Sequence, residues 1–326
     1  MVVCKKWILA KAFSGHPDSS NFRMETEELP DQLKEGEVLC EAIFLSVDPY
    51  MRLFPVPPGS VMMGEQVARI SKSENQNFPV GTIVQSMLGW RTHTIVSDPS
   101  KLNKVPDLGD LPKSLALGAM GMPGMTAYFG FLEACCPKNG ETVFVNAAAG
   151  AVGNIVGQIA KIKGCKVVGS AGSEQKCKWL KEGLGFDEVF NYKTTPLEKA
   201  LKDHAPQGVD CFFDNVGGEE TTNVLKHMNK CGRAAICGSI SQYNKEEKDK
   251  GELPYGPMLM NMLRVKGIQG WHHVQKWPEG LKQMLLWIKE GKMKYKETVT
   301  EGFDNMVSAF IGLFSGQNIG KAIIKV

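Results

Sequence analysis

Hydrophobic residues in the first hundred positions fall in short runs. EVLCEAIFLSV, EQVARI, GTIVQSML and HTIVS are rich in valine, isoleucine and leucine, and Pro, Gly and Asn divide them. Runs of that length bounded by turn residues predict an irregular β domain up to about Pro106. From about Leu111 the pattern lengthens. LPKSLALGAMGMPGMTAYFGFLEACC reads as two helical pieces bridged by GMPGM, with Pro123 opening the second. Strands then alternate with helices. ETVFVNA, CKVVGSA, EVFNY, GVDCFFDNVG and GRAAICGSI are the strands, and GNIVGQIAKIKG, EQKCKWLKEGLG, PLEKALKDHA and EETTNVLKHMN are the helices between them. MLRVKGIQGW follows a charged loop, and PEGLKQMLLWIKEG repeats its apolar residues at i, i+3 and i+4, a helical spacing. This alternation predicts an α/β fold with a doubly wound parallel sheet, helices on both faces. The tail KYKETVTEGFDNMVSAFIGLFSGQNIGKAIIKV has strand, helix and strand character and is expected to return to the first domain.

Composition narrows the function classes. The net charge of +3 is small and the basic residues are scattered, which argues against nucleic acid as a partner. Charges interrupt every apolar run of MVVCKKWILAKAF, so no signal peptide is expected, and no uncharged apolar stretch reaches the roughly 18 residues that span a bilayer. Nine cysteines without a C-x-x-C pair predict free thiols in a reducing, cytoplasmic setting.

The candidate chemistry begins at VNAAAGAVG (145–153). A dinucleotide loop uses three glycines: for a tight turn, for close approach to the pyrophosphate, and for helix–strand packing. Those places hold Ala148, Gly150 and Gly153. Alanine at the first adds one methyl group and is tolerated where the local φ is negative. The helix from about Val152 would aim its unpaired N–H groups at the pyrophosphate. An NAD site wants an acid at the end of the second strand, yet the residues there are Gly169-Ser170-Ala171-Gly172-Ser173. Lys176 follows, with Tyr192 and Lys193 after the next strand. Small hydroxyls and a lysine suit a 2′-phosphate, so NADPH is the expected cofactor. A solvated helix lysine is the other reading of Lys176.

SVDPYMR (46–52), GMPGMTAYFG (121–130), VNAAAGAVG (145–153), FNYKT (190–194), FDNVGG (213–218), GRAAICGSISQYN (232–244) and GQNIGK (316–321) together resemble the zinc-independent medium-chain dehydrogenase/reductases, in the branch of the prostaglandin and alkenal/one reductases. The resemblance covers essentially the whole chain. It implies a GroES-like, partly open β-barrel carrying the substrate surface (1–121, completed by about 293–326). It also implies a Rossmann domain (122–292) with NADPH in the cleft between them, and a homodimer. By similarity Gly150, Ala151, Val152 and Gly153 contact the pyrophosphate, and Lys176 and Tyr192 the 2′-phosphate. Asn215, the segment Cys237, Gly238, Ser239, Ile240, Ser241, Gln242 and Tyr243, the segment Ile268, Gln269, Gly270, Trp271, His272, His273 and Val274, and Asn318 would line the rest. Zinc-dependent relatives place Cys and His ligands where this chain has Asp48-Pro49-Tyr50 and Met63-Gly64-Glu65, so no metal is expected.

The implied reaction delivers a hydride to the β-carbon of an α,β-unsaturated ketone or aldehyde, such as an eicosanoid or a lipid-peroxidation product, and must stabilise an enolate. A tyrosine of the family stands where this chain has Met260. Tyr50, Tyr243 and Tyr255 are the candidate substitutes; packing in the barrel wall, covering the cofactor and anchoring a loop are their respective alternatives. His272 and His273, read on an extended segment, would point opposite ways and serve as polar lining rather than a metal pair. The run 244–257 is a solvated loop or a substrate lid. Two other functions stay open: a quinone reductase, and a crystallin-like cofactor-binding protein with little catalysis. Oxidation of the 12-hydroxyl of leukotriene B4 is a further possible activity of this branch.

Overall fold

Two strands that the apolar runs do not announce open the computed structural model, which describes residues 1–247 and 252–326. β1 (Val2–Leu9) pairs antiparallel with β2 (Phe22–Leu29). Both carry charged residues along their length, and Lys6 reaches Glu27 across the pair at 2.8 Å. Cys4, Ile8 and Leu9 turn inward, so a half-buried strand hides behind an apparently polar sequence.

β3 (Val38–Ser46), β4 (Gln66–Ser73), β5 (Ile83–Ser86), β6 (His93–Val96) and β7 (Asn103–Lys104) follow. A 3₁₀ turn at Lys113–Leu117 leads to helix α1 (Met122–Cys135), capped by Cys136 in the left-handed conformation at φ 45°. The alternating part then runs β8 (Thr142–Val145), α2 (Gly153–Ile162), β9 (Lys166–Ala171), α3 (Glu174–Lys178) with a π turn to Gly183, and β10 (Glu188–Asn191). It continues with α4 (Leu197–His204), β11 (Val209–Asp214), α5 (Glu219–Lys226), β12 (Met228–Ile236), α6 (Ile240–Tyr243), α7 (Tyr255–Met260), β13 (Arg264–Gly267) and α8 (Trp277–Lys289). The tail supplies β14 (Glu297–Glu301), α9 (Met306–Phe314) and β15 (Lys321–Lys325).

The chain divides into two units, Met1–Leu117 with Glu297–Val326, and Gly118–Lys296. The sequence reading put the divisions at 121/122 and 292/293. In the first unit a sheet of order β14-β15-β3-β4-β5-β7, with β6 paired to β3, is antiparallel except for β14 and β15. Its main core joins the hairpin, β15 and α9. Phe22 stacks on Trp90 at 5.6 Å, and Phe310 meets Trp90 edge-on at 5.7 Å, arrangements that aromatic rings favour.

The second unit holds a parallel sheet of order β10-β9-β8-β11-β12-β13. That is the doubly wound order in which direction reverses between the first and fourth strands, here β8 and β11, opening a crevice at their carboxyl ends. Phe144 on β8 stacks with Phe190 at 6.0 Å and with Phe212 at 5.6 Å and fixes the sheet beneath that crevice.

Candidate functional site

The crevice is built around Asn146, fully buried just past β8. Its Nδ2 donates to Asp214 Oδ1 at 2.7 Å, and its Oδ1 accepts the Asn215 amide at 2.6 Å. Asn215 Nδ2 returns a bond to the Asn146 carbonyl at 2.9 Å. Asp214 also takes the amides of Val216 at 2.9 Å and Gly217 at 3.0 Å, and the Thr221 hydroxyl. Neither Asn146 nor Asp214 was picked out from the sequence; they are the frame that holds the ends of β8 and β11 together. The frame extends to the next loop, because the amides of Cys237 (2.7 Å) and Gly238 (3.1 Å) both donate to the Asp214 carbonyl.

On this frame sits the turn 147–153. The Ala148 amide donates to Ser170 O and the Gly150 amide to Ala147 O, each at 2.9 Å. Ala147, at φ 43°, is the residue in left-handed conformation, a strain of about 1–2 kcal/mol for a residue with a Cβ. Ala148 is spared it, and its methyl is buried without penalty. A Cβ on Gly153 would lie 2.6 Å from Ala147 O and 2.9 Å from Ala148 Cα, while one on Gly150 would meet only Ala147 O at 3.2 Å. The glycines therefore seat the start of α2 directly on the turn and leave an open cradle at the helix N-terminus, which a pyrophosphate fits.

At the ends of β9 and β10 the charges are positive. Ser173 Oγ caps α3 by accepting the Lys176 amide at 3.3 Å. Burial first, and then the Lys193 ammonium, lower the Lys176 pKa, so two lysines share this corner. Glu174, the nearest acid in sequence, is turned to Asn191, whose Nδ2 donates to it at 2.8 Å. Tyr192 is 52% exposed, and its hydroxyl occupies space that a Cβ on Gly172 would reach at 2.8 Å. Lys176, Lys193 and Tyr192 thus offer a cationic, hydroxyl-bearing corner that fits a 2′-phosphate, with Glu220 the acid that acts on the Tyr192 phenol.

The segment 237–243 folds back over the loop after β11. Ile240 and Ser241 donate their amides to Asn215 O at 3.3 Å and Val216 O at 3.1 Å. The Tyr243 hydroxyl oxygen accepts the Ser239 amide at 3.1 Å and keeps its own hydrogen to give. Burial pushes the Cys237 thiol up to about 12, which removes it as a nucleophile.

The segment 268–274 differs from the expectation. Ile268 still bonds to β12, through Ile236 O at 3.0 Å, but Gly270–Lys276 is a 3₁₀ helix and not an extended strand. It packs on α1: a Cβ on Gly130 would strike Ile268 Cδ1 at 2.3 Å, and one on Gly270 would strike Thr126 Oγ1 at 2.2 Å. His272 and His273 consequently stand edge to face at 5.1 Å, and His273 stacks on Phe129 at 5.3 Å with Nδ1 3.6 Å from Glu133. Among the described residues, no group of three or more His, Cys, Asp or Glu side chains is placed to hold a metal ion.

The remaining positions are on other elements. Tyr255 opens α7 and Met260 ends it, 75% and 74% exposed. Of the run 244–257, positions 248–251 lie outside the described residues. Asn318 belongs to the first unit, where its Nδ2 donates to Gly320 O at 2.8 Å. Tyr50 belongs there too, on the 3₁₀ turn Pro49–Arg52, with its ring edge-on to Phe54 at 5.8 Å. Burial, then Asp48 and Glu65, raise its pKa, so the phenol keeps its proton.

Known proteins resemble the chain along its length. The family model described as the N-terminal domain of oxidoreductase matches residues 5–105, and that described as zinc-binding dehydrogenase matches residues 151–287. Prostaglandin reductase 1 of Bos taurus is 53% identical, covering 100% of both chains. The NADP(+)-dependent 2-alkenal reductase of Nicotiana tabacum is 41% identical over 99% of this chain and 97% of its own. The crystal structure of CurA in complex with NADPH from Vibrio vulnificus superposes with a TM-score of 0.92 at 35% identity, covering 99% of each chain.

Proposed function

The chain belongs to the prostaglandin reductase 1 family of medium-chain dehydrogenase/reductases, and from that membership we propose that it reduces the C=C bond of α,β-unsaturated ketones and aldehydes with NADPH. The observation that carries the reading is the glycine-seated turn together with the paired lysines Lys176 and Lys193, a cradle for a phosphorylated dinucleotide. Bound NADPH supplies the hydride that the substrate β-carbon accepts. Gly150–Gly153 and the start of α2 hold the pyrophosphate, and Lys176, Lys193 and Tyr192 the 2′-phosphate. Lys176→Ala should weaken NADPH about ten- to a hundredfold and leave NADH unchanged, since a charge-assisted phosphate contact is worth roughly 1.5–3 kcal/mol. Titration of both cofactors by fluorescence reads this, and equal losses for the two would remove the phosphate role.

Charge then develops on the substrate carbonyl oxygen. Tyr243, whose oxygen already accepts an amide and whose hydrogen is available, is the phenol proposed to donate to it. Tyr50 keeps its proton but its hydroxyl oxygen is shielded from the surface, and Tyr255 is too exposed to be preferred. Tyr243→Phe should lower kcat about tenfold, roughly 1.4 kcal/mol of barrier, and Tyr50→Phe should leave it nearly unchanged. Undiminished turnover in Tyr243→Phe would discard phenol stabilisation.

Assaying NADPH oxidation with enones, enals and quinones tests the function itself. Faster turnover of quinones would move the assignment to a quinone reductase, and no turnover at all to a cofactor-binding role. Eicosanoid ketones and lipid-peroxidation aldehydes are the substrates to try first. The exposed edge strand β13, with Val265, and the exposed Leu259, Met260 and Met262 support a homodimer formed along that edge. Sedimentation at a monomer mass would exclude it. The nine free cysteines support a cytoplasmic location, which cell fractionation checks.

A further inference from the structure

Beside the phosphate corner, the second unit has a cavity that the corner does not use. Phe190 and Tyr192 at the end of β10, Leu197 opening α4, and Glu219, Glu220 and Asn223 on α5 enclose about 190 Å³. That is less than the roughly 300–1,000 Å³ of a pocket for a drug-sized molecule, and suits a single flat heterocycle. Its walls differ in chemistry. Phe190 and Leu197 are apolar, and the half-exposed Tyr192 ring presents a face on which a heterocycle can stack. The polar wall is α5, where Glu219 and Asn223 stand four residues apart and so share a helix face.

Those two side chains offer opposite halves of a hydrogen-bond pair. Glu219 is exposed, and an ionised carboxylate can only accept. Asn223 Oδ1 already accepts Lys226 Nζ at 3.4 Å, so its Nδ2 is the half of the amide left to donate. Glu220 lies deeper and closes the floor, with its Oε1 shielded from solvent. The cavity and the corner also share Tyr192. In a 2′-phosphorylated dinucleotide one ribose carries the phosphate and the base on adjacent carbons. A phosphate held by Lys176, Lys193 and Tyr192 therefore leaves its base within a side chain's length of Tyr192, where this cavity is the recess.

We propose that Glu219 and Asn223 determine which base this cavity takes: the Glu219 carboxylate accepts from the 6-amino group of adenine, and Asn223 Nδ2 donates to N1 beside it. The inference rests on the reading that Lys176, Lys193 and Tyr192 hold the 2′-phosphate. Stacking on an aromatic face does not distinguish one purine from another, whereas contacts to the Watson–Crick edge do. Hypoxanthine reverses that edge. Its 6-oxo group would face the carboxylate, and its N1–H would face a second donor. A site whose polar groups are left opposed or unpaired rejects the wrong ligand more strongly than an apolar wall does.

Adenosine 2′,5′-bisphosphate and inosine 2′,5′-bisphosphate carry the phosphate and the base without the nicotinamide, so calorimetric titration of the full chain with each reads this subsite alone. The wild type should bind the adenosine compound about tenfold more tightly. Glu219→Ala combined with Asn223→Ala should bring the ratio to within about twofold. Asn223→Asp turns the donor into an acceptor at almost unchanged shape. It should weaken both compounds through its charge and erase or invert the preference for adenosine. Lys176→Ala should weaken both and keep the ratio, since it acts on the phosphate only. Fluorescence titration with NADPH and its hypoxanthine analogue repeats the comparison on the intact cofactor, and thermal melts show that each variant folds. If the double variant does not fold, Asn223→Asp alone decides. Equal affinity of the wild type for the two bases would overturn the inference, as would a ratio that neither variant moves. If the chain binds neither bisphosphate nor NADPH, the cofactor reading itself falls and takes base selection with it, a pattern distinct from equal affinities.

Discussion

Replacing Lys321 by methionine should cost about 3–5 kcal/mol of folding stability, the largest loss expected from any lysine in the chain. The number follows from what the ammonium leaves behind. Methionine fills most of the same volume but abandons the buried Asp48 carboxylate 3.1 Å away and strips the Val47 and Ala322 carbonyls of their donor. A buried charge without a partner is far costlier than a lost surface pair. Lys325, four residues on, is the control: its contact with Glu301 is 3.2 Å but half exposed, so Lys325→Met should cost about 0–1 kcal/mol. The double variant Asp48→Leu, Lys321→Met should recover most of the loss, because replacing both partners of a buried pair by apolar groups is often neutral. Urea unfolding at neutral pH, read from midpoint and slope, measures the three variants against the wild type. A loss below about 1 kcal/mol in Lys321→Met would mean that water reaches this pair.

What the sequence disclosed follows the range of the forces involved. The parallel sheet was legible because each strand–helix pair declares itself locally, through a run of β-branched residues, a glycine or polar turn, and a 3.6-residue period. The hairpin β1–β2 was not, because Lys5, Lys6, Glu25 and Glu27 break the apolar runs, and only pairing partners tell which face is buried. The 3₁₀ helix at Gly270–Lys276 was read as extended. Seven residues carry too little period to signal a helix, and its geometry is imposed by contact with Thr126 and Phe129 on α1. Within the candidate site, Lys176 and Tyr192 could be picked from their places after strands. Asn146, Asp214 and Lys321 could not, since their roles rest on bonds that span 68 to 274 positions. Chemistry that a turn defines is written locally; chemistry that a buried charge defines is written in the tertiary fold.

The turn that first marked the chain as a dinucleotide binder gives a graded series. Gly153→Ala should weaken NADPH about ten- to a hundredfold and lower stability by about 1–3 kcal/mol. Its new methyl would sit 2.6 Å from Ala147 O and 2.9 Å from Ala148 Cα, both backbone atoms that no rotamer change can move aside. Either α2 lifts from the turn, or Ala147, already left-handed at φ 43°, is pushed further. Both take the amides at the start of α2 away from the place the pyrophosphate needs. Gly150→Ala meets a single backbone oxygen at 3.2 Å, a contact that a few tenths of an ångström relieve, so it should leave stability nearly unchanged. Any loss of NADPH affinity there would come from the methyl facing the phosphate. Ala148→Gly should do little to either quantity beyond the entropy of the freed backbone, because Ala148 has no left-handed strain to release. Thermal melts and NADPH titration on the three variants separate packing from approach. If Gly153→Ala melts and binds like the wild type, the close seating of α2 on the turn is not what holds the cofactor.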